Sequence, residues 1–163
     1  METQGVVDPY SFAMDSALHA LAPRAKSRDE LLKHLIKRGV ELDTANAVLD
    51  HLELQGLLND LEFAKLWAQS RQRQKKLSKR VIAGELRTKG VAQDVIDEVI
   101  EEIDDQAEYQ LAFSLAEKKF RSCSHLESEK IYSRVVGVLN RKGFSSSLST
   151  RIVRELLTSH STN

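Results

Sequence analysis

The sequence predicts an all-α protein of three tandem three-helix repeats that form an elongated, curved array. The main observation is an internal repeat. A shift of 51 residues places Phe12-Ala13 on Phe63-Ala64 and Arg38-Gly39-Val40 on Lys89-Gly90-Val91, and a further shift of 53 reaches Lys142-Gly143-Phe144. A period of about 50 residues is typical of stacked supersecondary units. The second observation is composition: two prolines and seven glycines in 163 residues leave few positions for tight hairpins and favour helix.

The repeat predicts three domains, which we place at residues 9–55, 59–104 and 105–158. A unit of about 50 residues buries too little apolar surface to be stable alone. Neighbouring repeats are therefore expected to cover one another's apolar faces.

The first repeat carries clear helix start and stop signals. Asp8 followed by Pro9 predicts a helix start, and this helix runs to Ala22. Ser27 with Glu30 predicts a capping box that opens a second helix ending at Gly39. A third helix is predicted for 43–54, and we expect disorder in the first few residues of the chain and in the tail 159–163.

The later repeats follow the same order, with Ser78 as the cap of the middle helix in the second. In the third repeat Ile131 stands at the serine position, and the stretch 122–128 is expected to be looser. The predicted helices are 60–75, 79–89, 93–104, 106–120, 129–141 and 147–158.

The Arg/Lys-Gly-hydrophobic tripeptide has a structural explanation, because glycine closes a helix and the cation complements the helix dipole. A helix pair joined by such a turn also resembles a helix-turn-helix, whose second helix would enter the major groove. The second helix of each such pair is poorly suited to contact DNA bases. The helix from Gln93 is acidic and would repel phosphate, and the helix from Asp43 offers little beyond Asn46.

Charge is strongly segregated although the net charge is +0. Residues 65–89 contain nine basic residues and one acid, Glu85, whereas 94–108 contain eight acids and no Lys or Arg. A solvated face is one interpretation of the basic stretch. One acid cannot neutralise nine bases through intrahelical pairs, however, so a phosphate or acidic protein partner is favoured. The stretch has almost no aromatic residues, which argues against sequence-specific reading of single strands.

Other functional classes find little support. The single cysteine, Cys123, excludes an internal disulfide and fits a reducing cytoplasm, and no apolar run is long enough for a membrane span. Cys123 and His125 lack companion metal ligands, and no phosphate-binding loop or nucleophile elbow is present. We expect a cytoplasmic monomer without cofactor or metal. Trp67 is interpreted as a core anchor rather than a stacking platform.

Four stretches carry a resemblance to a known family. They read SRDELLKHLIKRGV, AVLDHLELQGLLNDLEFAKLWAQSR, SKRVIAGELRTKGVAQDVIDEVI and VLNRKGFSSSLSTRIVREL. In sequence and in order they resemble the bacterial RecX regulatory proteins, over nearly the whole chain from Ala17 to Leu157. The chain departs from that pattern at Lys76-Leu77, where many members have a glycine, and most of all in the third repeat.

The resemblance implies a curved array of three-helix repeats that binds the RecA recombinase and its DNA filament. It implies inhibition of RecA ATPase, strand-exchange and co-protease activity, and so a role in recombination, DNA repair and the SOS response. Many family members also bind DNA. It implies no enzymatic activity.

We assign two candidate surfaces and no catalytic residue. The expected DNA- and filament-binding residues are Arg71, Arg73, Lys75, Lys76, Lys79, Arg80, Arg87 and Lys89. The acids expected to contact basic recombinase surface are Asp94, Asp97, Glu98 and Glu101.

Two alternatives remain open. In the first, the chain is a helical-repeat DNA-binding protein acting without a recombinase. In the second, it is an enzyme on a helical scaffold. The second is disfavoured because no convergent catalytic set is visible.

Overall fold

A computed structural model describes residues 7–161, and this part of the chain is helical without β-strands. The all-α prediction is confirmed. The elements in order are α1 Pro9–Leu21, α2 Arg28–Lys37, α3 Leu42–Leu54, α4 Asp60–Ser70, a π-helical turn Arg71–Lys75, α5 Lys79–Thr88, α6 Gln93–Glu101, α7 Asp105–Cys123, α8 Ser128–Arg141 and α9 Ser146–Ser161.

Most predicted helix boundaries agree with the structure within two residues, and three helices end three residues away from the predicted position. The helix α6 ends at Glu101, three residues early, because Asp104 instead caps α7 by accepting the Gln106 N–H at 3.2 Å. The helix α7 continues to Cys123, into the stretch expected to be looser. The helix α9 reaches Ser161, so 159–161 are helical rather than frayed. The disorder expected at the start of the chain falls largely outside the described residues.

The predicted caps form as expected in the first repeat. The Asp8 carboxylate accepts the Ser11 N–H at 3.0 Å. The capping box is complete: Ser27 Oγ accepts the Glu30 N–H and the Glu30 carboxylate accepts the Ser27 N–H, both at 3.1 Å. Each bond satisfies a backbone donor that the helix leaves unpaired.

The fold divides into two compact units. The first contains the described residues up to Leu66 together with Leu86–Ile96, and the second contains Trp67–Glu85 and the described residues from Asp97 onward. Their cores are apolar, and the second also contains two phenylalanines. The first is built around Ala13, Ala17, Leu31, Leu35, Ala45, Val48, Leu49 and Leu52. The second is built around Ala112, Ala116, Phe120, Ile131, Val135, Leu139, Phe144, Ile152 and Val153. The predicted domains 9–55, 59–104 and 105–158 stay predictions.

Within the first unit, the start of α2 packs onto the turn that follows α5. Ser27, fully buried, donates from Oγ to the carbonyl of Lys89 at 2.5 Å. Gly90 follows that carbonyl with φ +75°, and a Cβ there would overlap the Asp29 side chain. We call such a contact between a helix start and a Lys-Gly turn a junction.

An equivalent junction lies within the second unit, where the start of α5 packs onto the turn after α8. The Ser78 N–H donates to the carbonyl of Lys142 at 3.0 Å. Gly143, at φ +90°, approaches so closely that a Cβ would overlap Val81 and Ser78. The repeat seen in sequence is therefore also a repeat of packing.

The junctions predict unequal costs for the same glycine substitution. Gly39, Gly90 and Gly143 all have positive φ, so alanine is strained at each by about 1 kcal/mol. At Gly143 the new methyl also collides with Val81, which adds about 1 to 3 kcal/mol. We expect Gly143→Ala to lower the free energy of unfolding, measured with urea, by at least about 1 kcal/mol more than Gly39→Ala, where nothing lies within 4 Å. Equal losses would contradict the close approach.

Glu30 is the electrostatic centre of the first junction. Its carboxylate accepts hydrogen bonds from Arg24 at 3.1 Å and from Lys89 at 2.7 Å. Burial alone would raise the pKa of Glu30, but these hydrogen bonds and that from the Ser27 N–H bring it down from 4.5 to about 2.

The lowered pKa of Glu30 predicts an acid-sensitive contribution to stability. Because the folded-state pKa lies below the unfolded one, the stabilisation is present above about pH 4.5 and is lost as the pH falls towards 2. We expect Glu30→Gln to lower the free energy of unfolding at pH 7 by about 1 to 2 kcal/mol and to flatten its pH dependence in that window. Urea unfolding across pH measures both effects. The exposed Glu101→Gln is the control and should retain the wild-type slope.

Candidate nucleic-acid interface

The candidate site is built on the connection between α4 and α5. Here α4 continues into the π-helical turn Arg71–Lys75, a single widened turn of a kind often found at functional sites. The turn ends at Lys76, whose N–H donates to the Gln72 carbonyl at 3.2 Å. Lys76 has φ +56° and is the only non-glycine residue with positive φ in the described part of the chain.

Five cations of the second unit form what we call the cationic surface: Arg73, Lys75, Lys76, Arg80 and Lys142. The first four are exposed, and no ion pair involves any of the five within residues 7–161. Lys142 Nζ donates to the Lys75 carbonyl at 2.9 Å, and Arg80 Nε donates to the Gly143 carbonyl at 3.3 Å. The α8–α9 turn therefore contacts both the π-helical turn and the start of α5.

Arg71, predicted to bind DNA, has an internal partner. Its guanidinium pairs with the Glu85 carboxylate through Nε at 2.8 Å and Nη2 at 2.7 Å. The same carboxylate accepts the Trp67 indole N–H at 3.0 Å, and the guanidinium lies 4.8 Å from the centre of the Trp67 ring. The hydrogen bond to Glu85 raises the pKa of Arg71. This cluster links α4 to α5, and Trp67 within it is partly buried rather than a core residue.

Lys79 is also engaged internally. Its ammonium group pairs with Asp105, which raises the pKa of Lys79, and its backbone N–H donates to the Glu108 carboxylate at 2.8 Å. Two acids from the start of α7 thus satisfy the start of α5. A long-range ion pair of this kind cannot be recognised from the local charge count.

The remaining two predicted bases belong to the first unit. Lys89 pairs with Glu30 in the first junction. Arg87 is exposed, and its Nε donates to the Gln93 side chain at 3.0 Å. Neither residue is part of the cationic surface. Lys142 is the residue that sequence reasoning missed. The available signal was its place in the third Lys-Gly turn, where it was interpreted only as a helix-end cation.

The predicted acidic residues form one stripe. Asp94, Asp97, Glu98 and Glu101 are spaced by three or four residues along α6, and all four are exposed. The opposite side of the helix buries Ile96 and Val99. No cluster of potential metal ligands occurs among the residues that the structure describes. The stripe therefore offers negative charge to solvent or to a partner.

Comparison with known proteins identifies the family. Three family models match, described as the first, second and third three-helix domains of RecX, over residues 13–52, 59–100 and 106–153. The chain belongs to the RecX family. Regulatory protein RecX of Mycobacterium avium is 42% identical over 137 residues, covering 83% of this chain and 79% of that protein. The Streptomyces coelicolor protein of the same name is 36% identical over 150 residues, covering 92% and 80%.

The fold of RecX is shared as well. A crystal structure of RecX from Lactobacillus salivarius matches with a TM-score of 0.84 at 23% identity, covering 91% of this chain and 97% of that chain. The family is one of regulatory proteins, not of enzymes. No helix within residues 7–161 is long and apolar enough to cross a membrane.

The left-handed conformation of Lys76 predicts an unusual response to glycine. A side chain in this region costs about 1 to 2 kcal/mol, more than the roughly 0.5 to 1 kcal/mol of entropy that glycine loses on folding. We therefore expect Lys76→Gly to raise the free energy of unfolding by about 0.5 to 1 kcal/mol. The neighbouring Lys75→Gly, where φ is negative, should lower it by a similar amount. Urea unfolding checks both, and a loss of stability in Lys76→Gly would contradict the assigned conformation.

Proposed function

We propose that this RecX-family chain binds the RecA recombinase and its DNA filament and inhibits RecA activities, namely ATP hydrolysis, strand exchange and co-protease activity. It would thereby modulate recombination and DNA repair in the cytoplasm, acting as a monomer. Membership of the RecX family supports the recombinase partner. The observation that carries the DNA part is the cationic surface, whose bases have no acid to neutralise them among the described residues.

The chemistry of the cationic surface suits a phosphate backbone. Lysine ammonium groups act as compact point charges that bind phosphate without reading bases, and a guanidinium can bind a phosphate through two donors. The exposed residues Arg73, Lys75 and Lys76 lie on a connection that Lys142 holds through the Lys75 carbonyl, and Arg80 at the start of α5 is held by the Gly143 carbonyl. The charges are therefore presented from a fixed backbone, which lowers the entropy lost on binding.

Three of the eight predicted bases are withdrawn from this proposal. Arg71, Lys79 and Lys89 each have a carboxylate partner in their own unit. Binding phosphate with them would require breaking an ion pair. The proposed DNA contacts are Arg73, Lys75, Lys76 and Arg80, with Lys142 added, and Arg87 remains as an exposed base on α5.

The acidic stripe supports a protein partner. Asp94, Asp97, Glu98 and Glu101 would be repelled by DNA, so we propose that they face basic recombinase surface. A second candidate function, DNA binding without a recombinase, would use the cationic surface alone. The two candidates differ in one measurable property, because only the first gives an affinity for the filament well above that for bare DNA.

Charge reversal of the exposed cations tests the proposal. We expect Arg73→Glu/Lys75→Glu/Lys76→Glu to weaken binding to a RecA filament on single-stranded DNA at least tenfold and to reduce inhibition of its ATP turnover. If the wild type contacts about four phosphates, log affinity for duplex should fall with log salt at a slope of about −3 to −4. The triple variant should bring that slope close to −1.

A matched control has the same change in net charge. Lys118→Glu/Arg134→Glu/Arg154→Glu reverses three exposed bases of α7, α8 and α9 and should leave inhibition unchanged. Equal inhibition by both triple variants would remove the cationic surface from the mechanism. Absence of any filament binding by the wild type would contradict the proposed function itself.

A further inference from the structure

Among the residues that the structure describes, nothing packs on one of the three Lys/Arg-Gly turns. At Gly90 and Gly143 the start of another helix packs so closely that no Cβ would fit. At Gly39, which has a similar φ of +84°, nothing lies within 4 Å of the place where a Cβ would stand. The turn after α2 therefore has the shape of the two junction turns without the helix start that fills them.

The aromatic residue beside this turn is uncovered as well. Phe12 is 36% exposed, whereas Phe63, its equivalent in the second repeat, is 4% exposed. Phe63 lies beside Leu21, Ala25 and Lys26, at the end of α1 and in the connection that leads to the buried Ser27 cap. A phenylalanine at one position of the repeat is thus buried in the second repeat and exposed in the first.

The cation of the turn forms no ion pair with any of residues 7–161. Lys89, at the equivalent position in the first junction, pairs with Glu30 at 2.7 Å. Arg38 instead lies 5.5 Å from the centre of the Phe12 ring, and no ion pair involves it within the described part of the chain. Arg38 is also exposed. The Arg38 guanidinium can therefore pair with a carboxylate of a partner protein.

An opening of about 420 Å³ adjoins Phe12 and Arg38. The rest of its lining is formed by Asp15, Ser16, His19, Ala20 and His34. The residues 51 positions after Ser16, Ala20 and His34 are Trp67, Arg71 and Glu85, which contact one another in the second repeat. Ser16 and Ala20 are therefore much smaller than their counterparts Trp67 and Arg71.

We propose that Phe12, Arg38, Gly39 and the adjoining opening form a docking face for a partner protein that presents the start of a helix with a carboxylate in its first turn. The two junctions supply the geometry. In both, the carbonyl before the glycine accepts a hydrogen bond from the serine at a helix start, from Ser27 Oγ or from the Ser78 N–H. In the first, a carboxylate of that helix start pairs with the cation. The negative end of α2 complements the positive start of the incoming helix.

The equivalent helix starts of this chain do not fit the face. Those of α2 and α5 are engaged in the junctions. The helix α8 begins at Ser128, one turn earlier than the pattern requires, so that Ile131 occupies the serine position and is buried. Its cap residue, Glu127, makes no side-chain capping bond. The occupant is therefore a helix of a different protein rather than a second copy of this chain.

The test uses the full chain and a synthetic helix start. The probe is a helix-stapled peptide with the sequence of residues 25–38, which contains the serine cap and the carboxylate of the first junction. Amide NMR spectra of the labelled chain should show changes centred on Phe12, Arg38 and Gly39. Arg38→Glu in the chain, or Glu30→Lys in the peptide, should weaken binding at least tenfold, whereas Lys118→Glu, an exposed base on α7, should not.

A second variant guards against a loss of folding in Arg38→Glu. Asparagine tolerates the left-handed conformation, so Gly39→Asn should keep the circular dichroism and unfolding curve of the wild type while its side chain blocks the face. Peptide binding unaffected by Gly39→Asn, equal binding of the Glu30→Lys peptide, or changes centred on Lys89 would overturn the proposal. So would a dimer in sedimentation that Arg38→Glu converts to a monomer, because the occupant would then be a second copy.

Discussion

Within each compact unit, the packing of a helix start on a Lys-Gly turn depends on the hydrogen bond between a buried serine and the carbonyl that precedes the glycine. Ser27 and Ser78 are almost completely buried, and a buried polar group without a partner would destabilise the fold. The carbonyls of Lys89 and Lys142 provide that partner only because the following glycine has no side chain to hold the two segments apart. A single contact therefore positions the middle helix of one repeat against the turn of the next.

The helices, caps and glycine turns could be predicted from sequence because local interactions determine them. The serine caps lie within one turn of the groups they satisfy, and each glycine closes the helix just before it. The sequence could not show in the same way which basic side chains are neutralised by an acid of the same chain. The acids that neutralise Arg71, Lys79 and Lys89 lie 14, 26 and 59 residues away in the chain. A count of charges along a segment includes every base, whereas the folded chain leaves only some of them open to a partner.

At position 76 the backbone conformation favours glycine, yet the chain has a lysine there. The connection after the π-helical turn requires a left-handed residue, for which glycine is the least strained choice. A lysine there carries a conformational cost but adds a charge at an exposed position of the connection. The resemblance located this departure in sequence, but only the dihedral angle explains it. A stability penalty kept at a surface cation is expected where the charge has a function.

The net charge of the chain bears on how it would distinguish a filament from bare DNA. With a formal net charge of +0, attraction to DNA is weak beyond a Debye length of about 8 to 10 Å. Binding then depends on contacts close enough to bring the cationic surface to phosphate. Bare DNA has no cationic group that could pair with the carboxylates of α6, and its phosphates repel them. A nucleic acid covered by a protein with basic surface offers a partner for both charges, so charge segregation in a neutral chain favours the coated form over the bare one.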